Sequence, residues 1–103
     1  VIMNCFNGEK YLREAIDSVI AQTYKNWELI FWDNCSTDCS SEIVKSYKDS
    51  RINYFYAKKF TSLGEARNFA IREAKGDLIA FLDADDYWLE NKLNKLHLIL
   101  ACH

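Results

Sequence analysis

The chain has few of the residues from which phosphate-binding loops are usually built. It contains three glycines and no proline among its 103 residues. Neither the G-x-G-x-x-G pattern of dinucleotide-binding folds nor the G-x-x-x-x-G-K-[ST] pattern of P-loop enzymes is present. A phosphate group bound by this chain would therefore be held by side chains or by a metal ion rather than by a glycine-rich loop.

Long apolar runs and a strong charge of one sign are also missing. The formal net charge is -2 and the pI is about 5.6, which argues against a nucleic-acid partner and against a membrane-surface binder. No apolar stretch approaches the roughly 20 residues that span a bilayer, so we expect no membrane segment in this part of the protein. Half of the residues are apolar, which is enough for the core of one small domain.

The cysteines lack the paired spacing of a structural zinc site. They are Cys5, Cys35, Cys39 and Cys102, and only Cys35 and Cys39 are close in sequence. A zinc site would need Cys102 and His103 as its second pair, so the pattern disfavours zinc. Unpaired thiols in an α/β chain are typical of a reducing compartment. We therefore expect a cytoplasmic location, with membrane association left open through segments outside this sequence.

Strand-like and helix-like segments alternate along the chain. Apolar runs typical of strands occupy Val1 to Cys5, Glu28 to Trp32, Ile52 to Ala57 and Leu78 to Leu82. The segments between them carry apolar residues at helical spacing, and Ser62 and Glu65 form a capping-box pattern before one of them. This alternation predicts an α/β fold in which a parallel sheet is covered by helices on both faces. In such folds, ligands bind at the carboxyl ends of the strands.

An apolar run near the end of the chain leads into three clustered carboxylates. They are Asp83, Asp85 and Asp86, and they repel one another unless a cation neutralises them. Hard oxygen ligands suit Mg²⁺ or Mn²⁺, which often bridge to substrate phosphates. The cluster thus predicts a metal and diphosphate site. The alternative is an acidic turn that caps the next helix, with Asp86 near its N-terminus.

Polar residues also follow the first two predicted strands. Asn4, Phe6 and Glu9 end or follow the first strand, and Asp33 and Asn34 follow the second. Together with the clustered carboxylates, these residues would line one edge of the sheet, which is typical of a site shared between loops. Each has a structural alternative. Phe6, for example, could pack against the sheet edge instead of stacking on a base.

Six short blocks taken together resemble family 2 glycosyltransferases of the GT-A fold. The blocks run in the family's order and cover essentially the whole chain. They are Phe6-Asn7-Gly8-Glu9-Lys10-Tyr11-Leu12, Asp17-Ser18-Val19 with Gln22-Thr23, Trp27-Glu28-Leu29-Ile30, Asp33-x-x-Ser36-Thr37-Asp38, Gly64-x-Ala66-Arg67-Asn68 and Asp83-Ala84-Asp85-Asp86.

The resemblance implies inverting transfer of a sugar from a nucleoside diphosphate sugar, with a UDP-sugar favoured as the donor. The D-x-D motif falls on Asp83 and Asp85. Asp85 would be the main ligand of Mn²⁺ or Mg²⁺, and Asp83 would also lie near the ribose and diphosphate. The segment Asn4 to Glu9 would border the base and ribose. Arg67 would face the nucleotide, with a solvent-facing helix arginine as the alternative.

The same resemblance implies a domain assignment. Residues 1–103 would form the Rossmann-like, N-terminal nucleotide-binding half of a GT-A domain, and the catalytic base would lie beyond residue 103. The acceptor, whether saccharide, lipid or protein, is left open. Asn34 stands where the family commonly has a second aspartate, and an amide both donates and accepts hydrogen bonds, so the base is open too. The competing hypothesis is a non-catalytic nucleotide-binding module of the same fold.

Overall fold

The computed structural model describes residues 1–76 and 78–101, and the side chains of these residues up to position 96. Cys102 and His103, the second pair that a zinc site would have needed, lie outside the described residues. The elements in chain order are β1 (Ile2–Cys5), α1 (Glu9–Ile20), β2 (Leu29–Asp33), α2 (Ser40–Lys45), β3 (Ile52–Tyr56), α3 (Leu63–Glu73) and α4 (Lys92–Ala101). None of the helices in this described part has the length and apolarity needed to traverse a bilayer.

The three strands form one parallel sheet in the order β1-β2-β3. Met3 of β1 is opposite Phe31 of β2, and Phe31 is opposite Tyr54 of β3. The predicted parallel arrangement is confirmed. Because all three strands point the same way, the loops β1–α1, β2–α2 and β3–α3 meet at the carboxyl edge of the sheet.

The predicted fourth strand is wrong as a full buried strand. Between Leu78 and Leu82 the chain makes a single parallel bridge, from Phe81 to Ile2. Two hydrogen bonds support it, from Ile2 N to Ala80 O (2.7 Å) and from Leu82 N to Ile2 O (3.0 Å). Leu78 and Phe81 are about half exposed, because the segment lies at the edge of the sheet beside β1. The apolar run therefore predicted correctly that this segment lies beside the sheet, but it did not predict that Leu78 and Phe81 are exposed.

Alternate residues of the strands face two different helix layers. On one face, Met3 and Phe31 pack in a core that contains Leu12 of α1, Val44 of α2 and Leu93 of α4. On the other face, Ile2 and Ile30 pack against Ala70 of α3. The prediction of helices on both faces is confirmed. Burying one large aliphatic side chain such as that of Leu12 stabilises the fold by about 1.5–3 kcal/mol.

Helix α3 approaches the sheet through small residues. Ala66 and Ala70 are fully buried, and their short side chains let the helix backbone lie close to β1 and β2. Ser62 is the N-cap, and its hydroxyl accepts a hydrogen bond from Glu65 N at 3.3 Å. This confirms the capping role predicted for Ser62. The first turn of α3 is thereby fixed at the carboxyl edge of the sheet.

The side chain of Gln22, which is fully buried just after α1, bonds to the start of α4. Its Nε2 donates to the carbonyls of Ser18 (3.0 Å) and Leu89 (2.7 Å), and its Oε1 accepts from Leu93 N (2.8 Å). Since Leu93 is in the first turn of α4, Gln22 satisfies a helix N–H that would otherwise lack a partner.

The alternative in which Asp86 caps the following helix is wrong. Helix α4 begins only at Lys92, and Asp86 instead accepts a hydrogen bond from the adjacent Tyr87 N at 2.8 Å. The position that Asp86 would have filled is served by Gln22, which is distant in sequence. Local sequence could not show this, because the hydrogen-bond acceptor for Leu93 N comes from the segment that follows α1.

Candidate functional site

The loops that follow β1 and β2 are joined by hydrogen bonds centred on Asn7. Its Oδ1 accepts from Thr37 N (2.8 Å) and Asp38 N (3.3 Å), and its own N–H donates to Ser36 Oγ (2.9 Å). Asn7 has a φ of 51°, in the left-handed region that asparagine tolerates better than most residues. The two loops therefore form one unit at the carboxyl edge.

Glu9 and Asp38 cap each other's helices. Glu9 N, at the start of α1, donates to Asp38 Oδ2 (3.1 Å), and Cys39 N, at the start of α2, donates to Glu9 Oε2 (3.1 Å). Asp38 Oδ1 also accepts from Ser40 N (2.9 Å). Desolvation opposes ionisation of Asp38, but the hydrogen bonds from Ser40 and Glu9 outweigh it and hold its pKa below the usual value. The predicted site residue Glu9 thus lies between the two loops.

Asp33 is fully buried at the end of β2, with both carboxylate oxygens engaged. Oδ1 accepts from Ser36 N (2.8 Å), and Oδ2 accepts from the Tyr54 hydroxyl (2.6 Å). Burial, followed by the hydrogen bond to this carboxylate, raises the pKa of Tyr54 above its usual value. The side chain of Asp33 therefore fixes the β2–α2 loop against β3.

Asn34 joins the end of β2 to the β3–α3 loop. Its Nδ2 donates to Thr61 O at 2.9 Å, and its Oδ1 accepts from Thr61 N at 3.2 Å. Both residues are more than nine-tenths buried. Cys35, at a φ of 64°, adds a weak hydrogen bond from its thiol to Ala57 O at 3.3 Å. The third loop of the carboxyl edge is thus tied to the second.

A cavity of about 230 Å³ opens where these loops meet. Its lining residues come from β1, from the loops after all three strands and from α3, and they are Asn4, Cys5, Phe6, Asn34, Phe60, Thr61, Ser62, Leu63 and Ala66. Sites that enclose a whole drug-sized ligand occupy roughly 300–1,000 Å³, so this cavity suits one ring system of a larger ligand. It brings together three predicted site residues, Asn4, Phe6 and Asn34.

Two aromatic rings and one unpaired amide nitrogen give this cavity its chemical character. Phe6 and Phe60 meet edge to face, with ring centroids 4.9 Å apart. Among the described residues, Asn4 Nδ2 is buried without a hydrogen-bond partner. Apolar walls with a few polar groups are typical of ligand sites. A larger cavity of about 640 Å³ lies at the opposite edge of the sheet, beside Val1 and Trp27, and contains none of the predicted site residues.

The D-x-D motif forms a turn beside the β1–α1 loop. Asp86 N donates to Asp83 O at 3.1 Å, which closes the turn, and the side chains of Asp83 and Asp85 are exposed. A Cβ placed on Gly8 would lie 2.9 Å from Cys5 Sγ and 3.3 Å from Ala84 Cβ. Gly8 therefore permits the close approach between this turn and the loop that carries Phe6.

Arg67 lies on the same side of the fold as the D-x-D turn. Its guanidinium is 3.8 Å from Asp83 Oδ1 and 5.3 Å from the centroid of the Phe81 ring. Both members of the ion pair are well exposed, at 41% for Arg67 and 70% for Asp83. An exposed pair of this length adds little stability. Ala66, which lines the cavity, directly precedes Arg67 in α3. The cavity therefore lies next to the residue that pairs with Asp83.

The residues present fit a metal that is shared with a substrate. Within residues 1–76 and 78–101, no group of three or more histidine, cysteine, aspartate or glutamate side chains could enclose an ion. Asp83 and Asp85 offer oxygen ligands at an exposed turn, which suits Mg²⁺ or Mn²⁺ completed by water and phosphate. Cys5, Cys35 and Cys39 are free thiols.

Sequence reasoning missed the contribution of the β3–α3 loop. Site residues were predicted after the first, second and fourth predicted strands but not after the third, although Phe60 and Thr61 line the cavity. The available signal was their position directly before the Ser62 cap, at the same carboxyl edge as the other loops.

Comparison with known proteins gives matches along nearly the whole chain. The model of Glycosyl transferase family 2 matches residues 1–99. The Escherichia coli protein UDP-Glc:alpha-D-GlcNAc-diphosphoundecaprenol beta-1,3-glucosyltransferase WfaP is 40% identical over 98 residues, which are 94% of this chain and 39% of that protein. The chain therefore spans about two fifths of the length of this relative.

Solved structures of glycosyltransferases also superpose on this chain. S. aureus TarS 1-349 in complex with UDP-GlcNAc superposes with a TM-score of 0.94 at 28% identity, over 99% of this chain and 30% of that chain. The mannosyltransferase PcManGT from Pyrobaculum calidifontis, in complex with GDP-Man and Mn2+, superposes with a TM-score of 0.78 at 25% identity. The match covers 84% of this chain and 27% of that chain. The predicted GT-A fold is confirmed. The family match and the fold agree, and the chain belongs to glycosyl transferase family 2.

Proposed function

We propose that this chain is the nucleotide-sugar-binding part, residues 1–103, of an inverting glycosyltransferase that uses a nucleoside diphosphate sugar, with a UDP-sugar favoured. The observation that carries the proposal is the contact between two parts of one sheet edge. The loop that carries Phe6 into the cavity approaches Ala84 of the D-x-D turn at Gly8. The UDP-Glc named as the donor of WfaP and the UDP-GlcNAc in the TarS complex support a uridine nucleotide as the ligand.

In this proposal the nucleobase occupies the 230 Å³ cavity. Phe6 stacks on its ring, and the amides of Asn4 and Asn34 meet its polar edge. Asn34 uses one N–H and one oxygen lone pair in its hydrogen bonds to Thr61. Its amide has a second N–H and a second lone pair, which can bind a ligand. Glu9 and Asp33 complete the proposed nucleotide site by holding the two loops that border it.

The ribose and diphosphate then extend from the cavity toward Asp83 and Arg67. Asp85 and Asp83 would hold Mn²⁺ or Mg²⁺, and the bound ion would stabilise negative charge on the diphosphate leaving group. The Mn2+ named in the PcManGT complex supports this choice of metal. Arg67, 3.8 Å from Asp83, orients that carboxylate and adds a fixed positive charge beside the phosphates.

The acceptor chemistry is proposed to lie outside these residues, and with it the catalytic base. We therefore assign no catalytic residue within 1–103, and the non-catalytic nucleotide-binding module remains the second candidate. The diphosphoundecaprenol-linked acceptor named for WfaP makes a lipid-linked saccharide the first acceptor class to test. We also propose a cytoplasmic location for this part of the protein, in keeping with its free thiols.

Calorimetric titration with UDP tests the proposal. We expect binding in the presence of Mn²⁺ that falls sharply in EDTA and in Asp85→Asn. Asp86→Asn is the matched control, because it removes the same charge from the same turn and keeps an oxygen that accepts from Tyr87 N. Equal affinity for UDP in all of these conditions would refute the metal site, and no binding by the native chain would refute the nucleotide site.

A further inference from the structure

We propose that Phe60 is a second aromatic residue that contacts the base and forms part of the wall of the nucleobase cavity. This inference rests on the proposed nucleotide site, but neither the family blocks recognised in the sequence nor the D-x-D motif includes Phe60. The ring lies in the β3–α3 loop and lines the 230 Å³ cavity together with Phe6.

The first argument is the exposure of the two rings. Phe60 is 61% exposed and Phe6 is 52% exposed, although each is large and apolar. Their edge-to-face contact, with a centroid distance of 4.9 Å, leaves ring surface free on both. An aromatic pair of this kind at the mouth of a cavity gains stability when a flat ligand covers it, because apolar area then leaves water.

The second argument is that the loop is held in place on both sides of Phe60. Thr61, the next residue, is bonded through its N–H and its carbonyl to the Asn34 amide. Ser62, one residue further, caps α3. On the other side, Ala57 N donates to Asp33 O at 2.8 Å. A loop whose main chain is held in this way loses little backbone conformational entropy when a ligand binds.

The chemistry of stacking sets what Phe60 can recognise. Every nucleobase has a π face, so stacking contributes affinity without selecting one base. Hydrogen bonds to the polar edge of the base provide selection, and these come from Asn4 and Asn34. Removing the Phe60 ring should therefore weaken the binding of all nucleotides by a similar factor. It should leave the binding of the diphosphate part unchanged.

The experiment compares variants of Phe60 in calorimetric titrations with UDP, GDP and uridine, and with inorganic pyrophosphate in the presence of Mn²⁺. In Phe60→Ala we expect the Kd of UDP, GDP and uridine to rise about tenfold, as for the loss of one stacked base. Phe60→Trp should bind close to the native value, because it restores a ring. Pyrophosphate binding should be the same in all variants.

Tyr11→Ala is the matched control, because Tyr11 is also an exposed aromatic residue, at 46%, but does not line the cavity. It should bind every ligand as the native chain does. Nucleotide binding that is unchanged in Phe60→Ala would overturn this inference alone. Equal weakening of UDP and pyrophosphate would also overturn it, because the loss would then not concern the base. No binding of UDP by the native chain would overturn the proposed function together with this inference.

Discussion

The side-chain amide of Asn34 pairs with the main chain of Thr61 through both of its polar atoms. Nδ2 donates to the carbonyl at 2.9 Å, and Oδ1 accepts from the N–H at 3.2 Å. The pair is buried, so it joins the end of β2 to the loop before α3 with little competition from water. Among the residues beside the cavity, Asn34 is therefore both a proposed base contact and a structural link.

Asn34→Asp should destabilise the chain. A carboxylate cannot donate to Thr61 O, and one of its oxygens would face that carbonyl in a buried position, so we expect a loss of about 1–3 kcal/mol in the free energy of unfolding. Urea denaturation measures this loss. Asn26→Asp, at an exposed position, introduces the same charge and should change stability by less than about 0.5 kcal/mol. An unchanged free energy of unfolding in Asn34→Asp would show that the two hydrogen bonds contribute little to stability.

Arg67→Ala should separate ligand binding from stability. The exposed ion pair with Asp83 spans 3.8 Å, so its loss should change the free energy of unfolding by less than about 1 kcal/mol. The same change should weaken UDP binding in Mn²⁺ severalfold, because a positive charge beside the phosphates is lost. Denaturation and calorimetry on one protein preparation give both quantities. Unchanged UDP affinity would restore the alternative of a solvent-facing helix arginine.

Gln22→Ala should release the start of α4. The substitution leaves the N–H of Leu93 and the carbonyl of Leu89 without the side-chain partner that each has in the fold, and we expect a cost of about 2–3 kcal/mol. Hydrogen exchange measured by NMR should show faster exchange at Leu93 N. In Gln22→Glu an oxygen can still accept from Leu93 N, so protection at that amide should survive although stability falls. Full protection of Leu93 N in Gln22→Ala would contradict this role.

Asp49 should make stability depend on pH in the acid range. Hydrogen bonds from the Arg51 side chain, then from its main-chain N–H, lower the pKa of Asp49 from 3.8 to about 2. A carboxyl group whose pKa is lower in the folded state adds stability above its unfolded pKa. This contribution is lost as the pH falls through its folded pKa. The stability difference between native chain and Asp49→Asn should therefore shrink between pH 4 and about pH 2.

Urea denaturation at several pH values measures that difference. Arg51→Gln should flatten much of the pH dependence of the free energy of unfolding, because it removes the charged partner, whose Nη2 lies 2.7 Å from Asp49 Oδ2. The main-chain N–H at this position still donates to Asp49, so a smaller dependence should remain. A stability difference that stays constant from pH 6 to pH 2 would show that the ion pair does not persist in solution.

The sequence predicted the layers of the fold and the edge that carries the site. Alternation of apolar strands and amphipathic helices is a local property, since side chains at strand or helix spacing share a face wherever the segment lies. For this reason the runs that contain Met3 and Phe31 could be predicted as strands of one sheet before their core partners were known. The rule that ligands bind at the carboxyl ends of parallel strands then placed Asn4, Asn34 and Asp83 at one edge.

Tertiary structure alone decided which groups have partners. Gln22 caps α4, Asn34 pairs with Thr61, and Glu9 bonds to the start of α2, each across more than 25 positions of sequence. No local pattern marks such pairs, because a hydrogen bond depends on a distance of about 3 Å that only the packed fold sets. The burial of the predicted fourth strand was misjudged for the same reason. Apolar sequence at Leu78 and Phe81 shows what a segment can bury, and the neighbouring elements determine whether it is buried.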